Sequence, residues 1–200
     1  MNLPNRLTIA RICMVPFFLI ALLAQDYISL HYLWALILFA VASYTDHLDG
    51  KLARKNNQIT DFGKFMDPLA DKILVLSALV CFVQFGLADS WVVVIILARE
   101  FMVTGIRLIA AEHGQVIAAN KWGKAKTVSQ IVAISSVLVF QSVLELVQQG
   151  NIPSFTIFGA DGAFILTWLG SFLVLISAVF AVISGMVYLM QNIQLLDTTK

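Results

Sequence analysis

Four aspartates stand in two pairs, Asp46 with Asp49 and Asp67 with Asp71, in a segment that also holds Gly50, Ala53, Arg54 and Gly63. Five of the chain's twelve carboxylates fall between positions 46 and 71, and the sequence on either side is almost wholly apolar. Spacings of three and four place the two carboxylates of each pair on one face of a helix, about a turn apart. Like charges held that way repel unless cations lie between them. Several hard oxygen donors with few neutral ones suit Mg²⁺ or Mn²⁺ better than a Cys/His metal such as zinc. Gly50 follows Asp46 by four residues and Ala53 follows Asp49 by four, which leaves room beside the metal for a flat or bulky ligand. Arg54 is a planar cation that can meet phosphate oxygens with two parallel hydrogen bonds. Together these residues predict metal-assisted phosphoryl chemistry. A merely solvated loop gives no reason for the matched spacing.

A second group of polar residues lies within apolar sequence further on. In Arg99-Glu100-Phe-Met-Val-Thr104-Gly-Ile-Arg107, the residues Arg99, Val103 or Thr104, and Arg107 recur at four-residue steps. A charge at mid-membrane costs about 2.5–3.5 kcal/mol on insertion scales, so such residues are kept for a purpose. One purpose is an ion pair between helices that fixes packing. The other, preferred here, is a positive stripe descending to the cytosolic face. Lys124 and Lys126, beside Gly123 and Thr127, are read as a phosphate site, and Lys121 as an anionic-lipid anchor.

The elements that must carry these groups are helices in a membrane. Of the 200 residues, 60% are hydrophobic and 12% charged, against about 45–50% and 25% in soluble domains. No Pro/Gly/Ser-rich linker divides the chain, so residues 1–200 are read as one domain. Six apolar segments, at about 7–24, 31–49, 65–86, 90–111, 127–148 and 163–190, approach the roughly 20 residues a span needs. Lys and Arg gather at the start of the chain, at 51–64, at 121–126 and at the end, while the connections near 25–30, 87–89 and 149–162 have none. The positive-inside rule then puts both termini and the Asp-rich segment on the cytoplasmic side. The expected fold is all-α, a polytopic membrane protein with six transmembrane helices.

Other features carry less. The N-terminal segment lacks a compact basic n-region and a clear cleavage site and is read as a retained first span. Cys13 and Cys81 lie inside apolar segments and are expected to be small core residues. His31, His47 and His113 have no metal-ligand spacing. There is no glycine loop of the Walker or dinucleotide type, and no nucleic-acid partner is expected. Ser184, Gly185 and Tyr188 are read as packing between helices.

The pattern D-x2-D-G-x2-A-R-x8-G-x3-D-x3-D, complete here as Asp46, Asp49, Gly50, Ala53, Arg54, Gly63, Asp67 and Asp71, resembles the signature of the CDP-alcohol phosphatidyltransferases. That resemblance implies transfer of a phosphatidyl group from CDP-diacylglycerol to an alcohol with release of CMP. It implies one or two Mg²⁺ or Mn²⁺ ions held by Asp46, Asp49 and Asp67 on the diphosphate, with Asp71 completing the cage or taking the hydroxyl proton. Gly50 and Ala53 would leave space for the nucleotide and Gly63 would let the backbone pass close by. Asn5, Thr8 and Arg11 resemble a part that lines the nucleotide pocket, although a helix start lying on the membrane surface is an equal reading. The run from Arg99 to Arg107 followed by Gly123-Lys124-Ala-Lys126-Thr127 resembles the branch whose acceptor is glycerol 3-phosphate. The expected acceptor-phosphate set is thus Arg99, Thr104, Arg107, Lys124 and Lys126, and the expected product is phosphatidylglycerol phosphate. The family also suggests a homodimer, and the N-terminus favours a bacterial plasma membrane. Inositol phosphate, serine and phosphatidylglycerol are alternative acceptors, and a cation transporter is the alternative of another class.

Overall fold

A computed structural model describes residues 3–56, 61–112, 117, 120–157 and 159–193, with side chains except at 3–7, 46–56, 61–69 and 71. The described chain forms six long helices. They are α1 (Leu3–Leu23), α2 (His31–Asn56), α3 (Asp61–Gln84), α4 (Ser90–Glu112), α5 (Lys121–Gln148) and α6 (Gly162–Asn192). Each coincides with one apolar segment of the sequence. α1 runs unbroken through Pro16.

A short antiparallel hairpin, β1 (Thr156–Ile157) and β2 (Ala160–Asp161), was not expected in the last connection. Gly159 turns it with φ +80°, a conformation that favours glycine. The hairpin delivers Asp161, whose side chain accepts a 3.0 Å hydrogen bond from the Ala163 amide and caps α6. This satisfies one of the amides that a helix start leaves unpaired. At the start of α5, Asn120 does the same for the Gly123 amide at 2.7 Å.

The helices close around one core. α5 packs on α6 and α2, α1 on α2 and α3, and α4 on α6. Phe18 and Leu22 of α1, Phe39 of α2, Phe82 of α3, Ile96 of α4 and Ile134 of α5 are fully buried there. Small residues at the crossings let backbones approach, as at Ala42, Ala78 and Ala181, the usual device where lipid rather than water surrounds helices. Cys81 is in the core, but Cys13 is exposed. Position 13 lies on the outward face of α1, which composition alone does not distinguish from the inward one.

The outward faces are strongly apolar. Phe17, Ile20, Ile37, Val94, Phe101, Phe164, Phe172 and Val182 are among many large side chains left exposed. A water-soluble surface rarely carries so much apolar area, and a bilayer would cover it. α5 and α6 are long and apolar enough to cross a membrane by the usual hydropathy measure. α4 carries Arg99, Glu100, Arg107 and Glu112 in its length, and these lower its mean hydropathy. Trp34, Trp91 and Trp168 are all exposed within the first two turns of α2, α4 and α6, as an interfacial belt requires.

One end of the bundle is clasped by a polar contact between α2 and α5. The His31 backbone amide donates to Glu145 Oε1 at 3.2 Å, and His31 Nδ1 lies 3.3 Å from the same oxygen. Gln149 Nε2 adds a 3.2 Å bond to Ser29 Oγ. The Lys- and Arg-free connections meet at this end. The basic segments lie at the other, with the cavity described next.

Candidate active site

α4 and α5 present their polar residues to a shared cavity of about 250 Å³. Arg99, Thr104 and Arg107 of α4 and Lys124 and Lys126 of α5 all line it. All five residues of the expected acceptor-phosphate set are therefore in one place. The wall also includes Arg11 of α1, Ala42 and Ser43 of α2, Lys72 of α3, and Glu100 and Gln130. Ser43 comes one helical turn before Asp46, and Lys72 directly follows Asp71. The cavity thus begins where the Asp-rich ends of α2 and α3 begin.

Nine of the expected site residues, Asn5, Asp46, Asp49, Gly50, Ala53, Arg54, Gly63, Asp67 and Asp71, lie outside the described side chains. Their backbone is helical, with Asp46 and Asp49 on α2 and Asp67 and Asp71 on α3, so both spacings are helical spacings. Thr8 and Arg11 are described and buried. Both turn into the protein, and Arg11 reaches the cavity wall.

Glu100 organises the cations. Its carboxylate meets Lys126 Nζ, lies 3.1 Å from Arg99 Nη1 and is 4.0 Å from Lys72 Nζ. Lys72 Nζ also donates to Thr104 Oγ1, and Thr104 Oγ1 donates to the Glu100 carbonyl at 2.7 Å. Glu100 and Lys126 are buried, so this network ties α3, α4 and α5 through desolvated charges, which are stable only when paired.

The network divides the expected phosphate ligands into two kinds. Arg99 is committed to the protein through Nη1 to Glu100 and through Nη2 to Ser184 Oγ at 2.6 Å. Lys126 is committed to Glu100. Arg107 donates only its Nε, to the Tyr188 hydroxyl at 3.2 Å, with the guanidinium carbon 5.5 Å from the Tyr188 ring centre. Among the described residues, its two Nη groups and the Lys124 ammonium have no hydrogen-bonding or ionic partner. Both readings of the Arg99–Arg107 run thus have a counterpart: an interhelical ion-pair hub at Glu100, and free cations at Arg107 and Lys124.

α6 closes the site from behind. Gly185 allows that approach, because a Cβ there would sit 2.9 Å from Arg99 Cγ and 3.1 Å from Met102 Cε. Gly185→Val is expected to push α6 off α4 and cost about 1–3 kcal/mol, seen as a lower melting temperature. An unchanged melt would show that α4 and α6 can separate freely here.

Lys72, Gln130, Ser184 and Tyr188 were not expected in the site. Two carried a signal: Lys72 adjoins Asp71 at the mouth of an apolar run, and Gln130 is a polar residue inside a span, four after Lys126. Ser184 and Tyr188, expected to serve packing, hold the two arginines.

With six cationic side chains against the carboxylate of Glu100 among its described lining residues, the cavity attracts anions. Its size suits a small phosphorylated molecule. Six cationic side chains in one wall do not suit a path for cations through this cavity.

A family model described as CDP-alcohol phosphatidyltransferase matches residues 1–190. A Bacillus subtilis protein named CDP-diacylglycerol–glycerol-3-phosphate 3-phosphatidyltransferase is 44% identical over 209 aligned positions, covering 100% of this chain and 99% of its own. A Rickettsia bellii protein of the same name is 36% identical over 176 positions, 88% of this chain and 91% of its own. A third of that name, from Haemophilus influenzae, is 41% identical over 142 positions, 68% and 75% of the two chains.

Proposed function

The chain belongs to the CDP-alcohol phosphatidyltransferase family, and from that premise we propose that it transfers the phosphatidyl group of CDP-diacylglycerol to glycerol 3-phosphate, releasing CMP and forming phosphatidylglycerol phosphate. The observation that carries the choice of acceptor is the cation-lined cavity beside the Asp-rich helix ends. An acceptor bringing its own phosphate suits such a cavity better than serine, whose single carboxylate is offset by an ammonium that the cations repel. Relatives over nearly the whole chain bear names for the same reaction.

The primary hydroxyl oxygen of glycerol 3-phosphate bonds to the lipid-side phosphorus as the bond from that phosphorus to the CMP oxygen breaks. The hydroxyl proton passes to the Asp71 carboxylate. Arg107 and Lys124 hold the acceptor phosphate, with Arg99, Thr104 and Lys126 shaping the wall behind them. Arg54 meets the diphosphate, Gly50 and Ala53 leave room for the nucleotide, Gly63 keeps the backbone close, and Asn5 and Thr8 contact the nucleotide. Holding both reactants in one geometry accounts for much of the rate.

Four carboxylates at helical spacings on α2 and α3 are the hard-oxygen donor set that Mg²⁺ or Mn²⁺ requires. Asp46, Asp49 and Asp67, with Asp71, would hold one or two such ions. When bound, the metal supplies positive charge that offsets the charge building on the departing CMP. Six spans with both termini and the site on the cytoplasmic face, in a bacterial plasma membrane and as a homodimer, complete the proposal. A site at that interface lets a two-tailed lipid keep its tails in the bilayer.

The test is CMP release by purified protein in lipid–detergent micelles, with CDP-diacylglycerol and glycerol 3-phosphate, inositol phosphate, serine or no acceptor. Release is expected only with glycerol 3-phosphate. Chelation by EDTA should lower it at least about a hundredfold, and added Mg²⁺ or Mn²⁺ should restore it. Release with serine at an equal rate would overturn the acceptor assignment, and release untouched by EDTA would overturn the metal.

A further inference from the structure

Gln130 lies on α5 one turn beyond Lys126 and lines the same cavity. Gln130 is 2% exposed, and among the described residues its buried Nε2 has no hydrogen-bond partner. Buried amide N–H groups are nearly always paired, since leaving one unmet forfeits its interaction with water. Here the residue that carries the unmet donor lines the cavity. Lys126, the neighbouring polar side chain on α5, is engaged by Glu100. Gln130 has no such engagement.

The charges around it indicate which part of a ligand it meets. Phosphate draws to the free cations, Arg107 and the exposed Lys124. Along α5, Gln130 lies six residues further in than Lys124, about 9 Å at the rise of a helix. A ligand anchored by its phosphate at Lys124 and extending inward along the cavity would bring its carbon chain towards Gln130. A neutral amide adds little to the attraction of an anion already facing several cations. It adds direction, and it matches a neutral hydroxyl, which can accept from Nε2.

We propose that Gln130 selects the acceptor by donating from Nε2 to the non-reacting C2 hydroxyl of glycerol 3-phosphate. This rests on the acceptor assignment made above. It deepens that assignment by placing specificity in a residue outside the cationic set. The physical basis of selection is the donor's burial: an acceptor lacking that hydroxyl leaves Nε2 unmet, and a site built to bond a hydroxyl rejects such an analogue strongly.

The experiment compares kcat/KM for glycerol 3-phosphate and for 3-hydroxypropyl phosphate, which keeps the phosphate and a reacting primary hydroxyl but lacks the C2 hydroxyl. The wild-type enzyme is expected to prefer glycerol 3-phosphate by about ten- to a hundredfold, the range of one buried hydrogen bond. Gln130→Leu should lose activity on glycerol 3-phosphate by about that factor and stay within about threefold of wild type on the analogue, erasing the preference. Gln130→Met serves the same comparison if Leu lowers the folded yield. Equal losses on both acceptors would assign Gln130 to packing and overturn the proposal, as would a preference that survives the substitution. Wild-type protein that uses neither acceptor but releases CMP with another alcohol would remove the acceptor assignment and this proposal with it. Active wild type with no preference would remove this proposal alone.

Discussion

Asp71→Asn is expected to lower CMP release at least about a thousandfold, close to 4 kcal/mol of transition-state stabilisation, while the protein remains folded. Asn keeps the shape and one oxygen but cannot take a proton from the attacking hydroxyl. It is also a poorer partner for a divalent cation than a carboxylate. A positioned base contributes about 10²–10⁴-fold, so the estimate sits within what one such group can supply. The two assignments of Asp71 separate by metal titration. If Asp71 takes the proton, the variant should saturate with Mg²⁺ or Mn²⁺ at the wild-type concentration and show only a depressed kcat. If it completes the cage, the concentration of metal needed should rise and excess metal should recover part of the rate. Asp67→Asn, expected to show the second pattern, is the comparison. Activity within tenfold of wild type for Asp71→Asn would remove Asp71 from both roles.

Much of this architecture was open to inspection in the residues themselves, for reasons that differ by element. Each of the six helices coincides with an apolar segment, because a helix satisfies its own backbone groups and so suits apolar surroundings, and α5 and α6 are also long and apolar enough to cross a membrane. Arg99, Arg107, Lys124 and Lys126 stood out because charge inside apolar sequence is costly, and α4 and α5 do bring them to one cavity. Which face of a uniformly apolar helix looks inward was not legible, since lipid-facing and core-facing positions are both apolar. Cys13 was misplaced for that reason. Ser184 and Tyr188 looked like packing residues because their partners, Arg99 and Arg107, lie 85 and 81 residues away in the chain. The pairing of His31 with Glu145 is separated by 114 residues and left no local trace. Nor could charge counting reveal that Glu100 would claim Lys126 and Arg99 while leaving Arg107 and Lys124 free. That division follows only from which helices are neighbours.

Glu100→Met is expected to be the most destabilising single change at the site. In the native protein the Glu100 carboxylate faces Lys126, Arg99 and Lys72, and the Lys126 and Arg99 side chains are each about nine-tenths buried. Removing the carboxylate leaves those cations desolvated and mutually repelling. Breaking a buried pair from one side costs about 3–5 kcal/mol, and for a chain of this size about 3 kcal/mol lowers the melting temperature by about 6–12 °C. Removing both partners is a different perturbation. Glu100→Met with Lys126→Met replaces a charged pair by two flexible apolar side chains, which fill irregular space well. Arg99 still keeps its bond to Ser184. The double variant is therefore expected to recover at least half of the lost stability, although it loses a charge from the cavity wall. Recovery of stability without recovery of CMP release would separate the two contributions of this network: Glu100 holds three helices together by neutralising cations that the cavity needs for another purpose. A single variant melting within about 1 °C of the parent would show that these cations find water instead. A double variant as unstable as the single one would show that Glu100 acts through shape rather than charge.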